Sequence, residues 1–262
     1  MLTRFQDPHR TFRSSEKPTK RATGQKKVLK AAKAPADLIS VIIPAHNEES
    51  YILETLKAVR AQSYPWIELI VVANGCTDAT AEEARGHCDR LIVLSQKSLG
   101  VARNLGARMA QGRLLVFLDA DTILEPTALA VIARDFRKGD AAGTIRGEPD
   151  CANLRYKLLY ALKNFVHCSS LHSGSSGVII CWKKHFEKTG GFDEGLEVRE
   201  NSELMWRLKR FGKYKYIGDA RATTSMRRYQ QCGLGPMLWL WVKLWFLTRF
   251  GDLHRRQYET VR

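Results

Sequence analysis

Four short, continuous apolar runs constrain the fold of this chain more than any other feature. They are DLISVIIPA, WIELIVVA, RLIVLS and RLLVFLDAD, at residues 37–45, 66–73, 90–95 and 113–121. Stretches with helical spacing of apolar residues, such as 48–62 and 99–112, lie between them. Strands that are apolar on both faces and alternate with helices are typical of a mainly parallel sheet covered by helices. We therefore predict an α/β fold.

Charge and hydropathy divide the chain into three parts. We predict a basic, disordered tail at 1–36, the α/β domain at 37–231, and an apolar, aromatic segment with a basic end at 232–262. Of the formal net charge of +15, residues 1–34 carry +8, from ten Lys or Arg and two Asp or Glu. Such a tail attracts anionic partners, such as lipid headgroups or RNA. It lacks the apolar region of a signal peptide, so we expect a cytoplasmic protein.

The carboxyl-terminal segment is nearly all apolar from residue 236 to 250 and contains Trp239, Trp241 and Trp245. As a helix it is about 22 Å long, which is short of the roughly 30 Å hydrocarbon core of a bilayer. We predict an interfacial helix that holds the protein peripherally at the inner face of a membrane. A core-packing helix and a dimer contact are the alternatives.

Two carboxylates, Asp119 and Asp121, follow the fourth apolar run. In α/β sheets, ligands bind beyond the carboxyl ends of the strands. A D-x-D pair can hold Mg²⁺ or Mn²⁺ through oxygen ligands and leave coordination positions for phosphate oxygens. The alternative is a solvated loop whose aspartates cap a helix.

Four further motifs flank this pair: IIPAHNEE, VVANGCTD, GVARNLGARMAQG and GGFDEGLEVRENSELMWRLKRFG. In this order and spacing, residues 38–218 resemble the family 2 glycosyltransferases with the GT-A fold. The resemblance implies a Rossmann-like, mostly parallel sheet flanked by helices, followed here by the apolar carboxyl-terminal helix. It also implies a metal-dependent, hexosyltransferase-type enzyme, with Mn²⁺ or Mg²⁺, that inverts the configuration of a sugar taken from a nucleotide-diphosphate donor.

The resemblance also implies the residues that contact the donor. They are Pro44, Ala45, His46, Asn47, Glu48, Asn74, Asp78, Arg103, Asn104, Asp119, Ala120 and Asp121. The chain departs from the family at Ala73 and Asn74, where acidic residues usually contact the base. An Asn amide both donates and accepts hydrogen bonds, so the preferred base is open.

The catalytic base follows from a second departure. Inversion needs a carboxylate that takes the acceptor proton, and the family commonly supplies it from a Glu-Asp pair after GGFDE. Here the pair is Glu200 and Asn201. Because an amide is no general base, we predict Glu200 as the base, with Asn201 orienting the acceptor or capping the helix. Alternatively, Glu200 is a first-turn acid that the helix dipole favours, in an inactive relative.

Three more residues are assigned to the acceptor or diphosphate side. Gly177, in HSGSSGVII, allows close approach of a substrate. Arg227 and Arg228 either cap the diphosphate or are solvated surface residues.

The acceptor is expected to be a sugar or a lipid-linked or membrane-associated molecule. The alternative function is a catalytically degenerate binding protein that uses its basic tail on lipid or RNA. A nucleotidyltransferase would need a glycine-rich basic loop where PAHNEES stands.

Overall fold

The computed structural model describes residues 37–169, 174–196, 199–236 and 239, which contain eight strands and eight α-helices. The strands are β1 Ile39–Ala45, β2 Ile67–Asn74, β3 Arg90–Leu94, β4 Leu114–Leu118, β5 Thr122–Leu124, β6 Asp140–Pro149, β7 Val178–Trp182 and β8 Lys213–Thr224. The helices are α1 Ile52–Arg60, α2 Thr80–Ala84, α3 Leu99–Met109, α4 Ala128–Asp135, α5 Leu154–Cys168, α6 Lys183–Thr189, α7 Glu200–Leu208 and α8 Arg227–Cys232.

The strands form one mixed sheet in the order β3-β2-β1-β4-β7-β6-β8-β5. β1 to β4 pair in parallel, as the four apolar runs predict. β7 is antiparallel to both β4 and β6, and β5 is antiparallel to β8. The predicted α/β architecture is therefore confirmed, with a parallel half and a mixed half that meet at β4 and β7.

Helices cover both faces of the sheet, and β1 illustrates why. Its residues alternate in direction, so Val41 and Ile43 pack in the same cluster as Leu56 of α1. Ile42 points to the opposite face and joins the cluster that contains Ala102 of α3 and Leu204 of α7. Because this strand is buried on both faces, apolar residues do not alternate with polar ones along it, and it carries a continuous apolar run.

β6 has no apolar run that would reveal it, since its sequence is DAAGTIRGEP. Its glycines serve packing: a Cβ at Gly143 would lie 2.9 Å from the carbonyl oxygen of Lys215, and one at Gly147 would lie 2.7 Å from Ser176 Cβ. The neighbouring elements, rather than the strand's own residues, bury this part of the sheet.

The predicted apolar carboxyl-terminal helix lies outside the described residues, apart from 232–236 and Trp239. Among the helices that the structure describes, none is long and apolar enough to cross a bilayer.

Candidate active site

The D-x-D pair lies in a tight turn at the carboxyl end of β4. The amide of Asp119 donates to the carbonyl of Gly177 (2.9 Å), and the amide of Thr122 donates to the carbonyl of Asp119 (3.1 Å). The buried hydroxyl of Thr55 donates to the carbonyl of Ala120 (2.7 Å). The turn is thus fixed by its backbone, and it leaves the side chain of Asp119 41% exposed and that of Asp121 16% exposed.

Arg103, on α3, connects three parts of the site. Its Nη1 donates to Glu200 Oε1 and to Asn201 Oδ1, both at 2.9 Å, and its Nη2 lies 3.2 Å from Asp119 Oδ1. The residue is only 2% exposed, and its guanidinium carbon lies 5.0 Å from the ring centroid of Phe192. The predicted base and one D-x-D carboxylate are therefore brought together by one buried cation.

Glu200 is the first residue of α7 and is 8% exposed. Arg199 before it has a φ of 60°, a left-handed conformation that turns the chain into the helix. The Asn201 amide donates to Ser175 Oγ (3.2 Å), which ties α7 to the segment before β7. In that segment Gly177 has a φ of 84°, and a Cβ there would lie 2.7 Å from Thr122 Oγ1. Only glycine fits this contact with the D-x-D turn.

Arg227, on α8, makes a second bridge. Its Nη2 donates to both carboxylate oxygens of Glu48 and lies 3.2 Å from Asp121 Oδ2. Its guanidinium carbon lies 4.3 Å from the ring centroid of Tyr51. Burial and the charge of Asp119 raise the pKa of the Asp121 carboxyl, while Arg227 and Arg228 oppose that rise.

The loops after β1 and β2 are joined by side-chain hydrogen bonds. Asn47 Oδ1 accepts from the amide of Thr77 (2.9 Å), and Asp78 accepts from the amides of Glu49 (3.2 Å) and Thr80 (3.0 Å). Although burial raises the pKa of Asp78, these hydrogen bonds lower it overall. His46 Nδ1 lies 2.8 Å from the carbonyl oxygen of Asn74. These residues lie at the predicted donor edge, and their bonds fix the shape of the two loops.

Two predicted donor residues have buried amides that hold neighbouring segments. Asn74 is 2% exposed, and its Oδ1 accepts from the amide of Ser98 (2.8 Å). Asn104 Nδ2 donates to the carbonyl of Phe192 (2.9 Å), and its Oδ1 accepts from the amide of Phe192 (2.8 Å). Their direct contact with a donor stays a prediction. Pro44 and Ala45 are buried within β1.

A cluster beside Asp121 was not singled out by any sequence motif. Lys163 Nζ, on α5, lies 4.5 Å from the ring centroid of Tyr160 and donates to the hydroxyl of Tyr229 (3.1 Å). Burial, with the charge of Arg228, lowers the pKa of Lys163 to about 7. Burial and the charge of Asp121 raise the pKa of Tyr160. The sequence signal that could have found this inner face is the helical spacing of residues 156, 160 and 163.

An open depression of about 140 Å³ lies next to Asp121 on the side of α1. It is lined by Ser50, Tyr51, Glu54, Thr55, Asp121, Ile123, Asp150, Thr223 and Ser225. It is small beside the 300–1,000 Å³ of typical ligand pockets, so a nucleotide would extend beyond it.

The carboxylates were tested for their fit to a divalent metal. In the described ranges, no three His, Cys, Asp or Glu side chains are grouped as joint metal ligands. Asp119 and Asp121 provide two neighbouring carboxylates, and burial together with the charge of Asp119 raises the pKa of Asp121. Two carboxylates fit Mn²⁺ or Mg²⁺ when the donor's phosphate oxygens supply further ligands.

The curated relatives of the chain include synthases and glycosyltransferases. It is 25% identical over 231 residues to a poly-beta-1,6-N-acetyl-D-glucosamine synthase of Staphylococcus epidermidis, an alignment that spans 82% of this chain and 55% of that protein. The chain thus spans about half the length of this relative.

Solved structures match the fold. A crystal structure of S. aureus TarS in complex with UDP-GlcNAc has a TM-score of 0.55 at 21% identity, covering 71% of this chain and 58% of that one. The mannosyltransferase PcManGT of Pyrobaculum calidifontis, in complex with GDP-Man and Mn²⁺, has a TM-score of 0.58 at 19% identity, covering 71% and 56%. These likenesses confirm the predicted GT-A fold. The model of the family described as glycosyl transferase family 2 matches residues 40–210, and the chain therefore belongs to glycosyl transferase family 2.

Proposed function

We propose that the protein is an inverting glycosyltransferase that moves a sugar from a nucleotide-diphosphate donor to an acceptor hydroxyl. The observation that carries this proposal is the Arg103 bridge, which brings Glu200, Asn201 and Asp119 together at the carboxyl end of β4. The ligands of two proteins with similar structures add support, because TarS binds UDP-GlcNAc and PcManGT binds GDP-Man.

On the donor side, the nucleotide lies across the carboxyl ends of β1, β2 and β4. Asp119 and Asp121 face the diphosphate, and a bound Mn²⁺ or Mg²⁺ ion would neutralise the charge of the leaving group. Arg227 and Arg228 bind the diphosphate from α8, where guanidinium groups suit phosphate oxygens. Stabilisation of the developing charge is expected to be the largest contribution to the rate.

On the acceptor side, Glu200 takes the proton of the attacking hydroxyl. Arg103 holds Oε1 of Glu200, and we assign proton transfer to Oε2. Asn201 orients the acceptor, and Gly177 keeps its path free of a side chain. The charge of Arg103 is shared with Asp119, so Glu200 is not its sole counter-ion.

The acceptor in this proposal is lipid-linked or membrane-associated, and the protein is peripheral at the inner face of a membrane. Trp239, which is 69% exposed, stands near the start of the apolar residues 236–250. Tryptophan favours the headgroup region of a bilayer.

A thermal-shift panel of UDP-, GDP- and dTDP-sugars, each with Mn²⁺ and with EDTA, tests the donor site. Ligand at a hundredfold excess over its Kd stabilises the folded state by about 2.7 kcal/mol. We expect one nucleotide family to raise the Tm only with metal, and Asp121→Asn to abolish that shift. A folded protein that responds to no donor would overturn the proposal.

Such a result would favour the degenerate binding protein, for which the amides at Asn74 and Asn201, in place of the family's acidic residues, are the main support. Filter binding of RNA with and without residues 1–36 then tests that function. Salt-sensitive binding that depends on the tail would support it.

A further inference from the structure

Helix α5 is apolar on two faces. Its inner face buries Leu159 and Tyr160 against Met226 and Tyr229 of the α8 region. Its outer face carries an apolar row, here called the α5 stripe: Leu154 is 67% exposed, Leu158 61%, Leu162 59% and Phe165 65%. None of the described residues covers this row.

The α5 stripe is a single line along the helix. Its members are spaced by four, four and three residues, so they lie on one side over about 16 Å. Other exposed large apolar residues, such as Val93 and Trp206, are on separate elements. Single exposed apolar residues are ordinary, whereas a contiguous row marks a protein or membrane interaction surface.

The charges around the stripe favour an anionic lipid surface over an apolar protein partner. The sequences of α5 and α8, LRYKLLYALKNFVHC and RRYQQC, contain Arg and Lys but no Asp or Glu. Arg155 and Lys157 are exposed at the two edges of the stripe. Helices with an apolar face and flanking cations lie in the headgroup region of anionic bilayers.

The chain continues from the α5–α8 cluster into the apolar carboxyl-terminal segment. Leu234 packs against the α5–α8 cluster, and the exposed Trp239 follows five residues later. In the sequence, the apolar residues 240–250 come directly after Trp239, and they lie outside the described residues.

We propose that the α5 stripe is a docking surface for an anionic phospholipid bilayer, which holds the open side of the site next to the membrane. α8 connects the two features, because Tyr229 packs on α5 while Arg227 reaches Asp121. The docking deepens the proposed function by placing the acceptor at the membrane, and its use in transfer rests on that function.

Vesicle flotation of the full-length chain tests the surface. The vesicles are phosphatidylglycerol with phosphatidylcholine, and phosphatidylcholine alone. Leu158→Gln/Leu162→Gln removes two members of the stripe, and Met109→Gln/Val93→Gln is the matched control at residues that are 41% and 62% exposed. We expect wild type and control to float with the anionic vesicles, and the α5 variant to lose at least about tenfold in partition coefficient because two leucines no longer enter the bilayer.

Two outcomes would overturn the proposal. One is vesicle binding by the α5 variant equal to that of wild type. The other is no vesicle binding by wild type together with a lowered Tm or a changed oligomeric state in the α5 variant, which would mean that residues 240–250 or a second copy covers the stripe. The donor-dependent thermal shift of each variant is measured in solution without vesicles, so a failure of docking and a failure of the donor site are distinguished.

Discussion

The two arginine bridges of the site, formed by Arg103 and Arg227, differ in how far they are buried. The side chain of Arg103 is 3% exposed, and it joins α3, the end of β4 and the start of α7. The side chain of Arg227 is 21% exposed, and it reaches Glu48 and Asp121 from α8, at the end of the domain. Each arginine contacts one of the two D-x-D carboxylates.

The difference indicates which bridge belongs to the fold and which responds to ligand. A buried cation without its carboxylate partners is costly, so Arg103 and its partners must stay together. Arg227 is near solvent, where its bonds are exchanged for water or phosphate at lower cost. We infer that the donor diphosphate displaces the contact of Arg227 with Asp121 and leaves the Arg103 bridge in place.

Among substitutions at the two bridges, Asp121→Asn should have the largest effect on turnover. We expect turnover to fall about 10³-fold, because the substitution removes a charge that acts on the transferring group. Stability should be unchanged or higher at neutral pH. The pKa of Asp121 is raised in the folded state, so ionisation opposes folding as pH rises above the ordinary value for Asp. Transfer assays and thermal melts at pH 5 and pH 8 check both; turnover near that of wild type would exclude Asp121 from the donor site.

Arg103→Met should destabilise the protein by about 3–5 kcal/mol, because it leaves Glu200 buried without its cation. Urea unfolding measures the loss. The matched control is Arg60→Met, whose partner Asp89 is 43% exposed, and it should cost no more than about 1 kcal/mol. Equal losses in the two variants would mean that the buried bridge is no more important than a surface ion pair.

Arg227→Gln should destabilise the protein less than Arg103→Met, because the Arg227 side chain is more exposed. Loss of a charged hydrogen bond to Glu48 should cost about 1.5–3 kcal/mol. Donor affinity should fall about tenfold, because one phosphate contact is lost. Calorimetric titration with donor measures the loss of affinity. Unchanged donor affinity in Arg227→Gln would argue against displacement of the bridge by diphosphate.

The parallel half of the sheet could be predicted from sequence because its signal is local. β1, β2 and β4 are buried on both faces, and the edge strand β3 is partly buried, so each carries its own apolar run. β6 of the mixed half could not, because it is buried by its neighbours and contains Gly143 and Gly147 for close packing. The antiparallel pairing of β7 with β4 is a property of the topology and leaves no local pattern.

The candidate site also contains residues with a local sequence signal and residues that are brought together only by the fold. Asp119, Asp121 and Glu200 were singled out by short motifs, since their chemistry requires particular residue types. The pair of Glu48 and Arg227 is 179 residues apart in sequence, and no motif links its members. The amide of Asn74 is engaged by the backbone of Ser98, because a buried N–H group needs an acceptor. Sequence alone did not distinguish this role from base recognition.

The most direct test of the account is the turnover of Glu200→Gln at saturating donor, with Glu203→Gln as control. Gln keeps the acceptor oxygen for Arg103 but cannot take a proton, so the bridge should survive. We expect kcat to fall about 10²–10⁴-fold in Glu200→Gln, with donor Kd and Tm close to wild type, and to change little in Glu203→Gln. Turnover of Glu200→Gln within about threefold of wild type would contradict the assignment of the catalytic base.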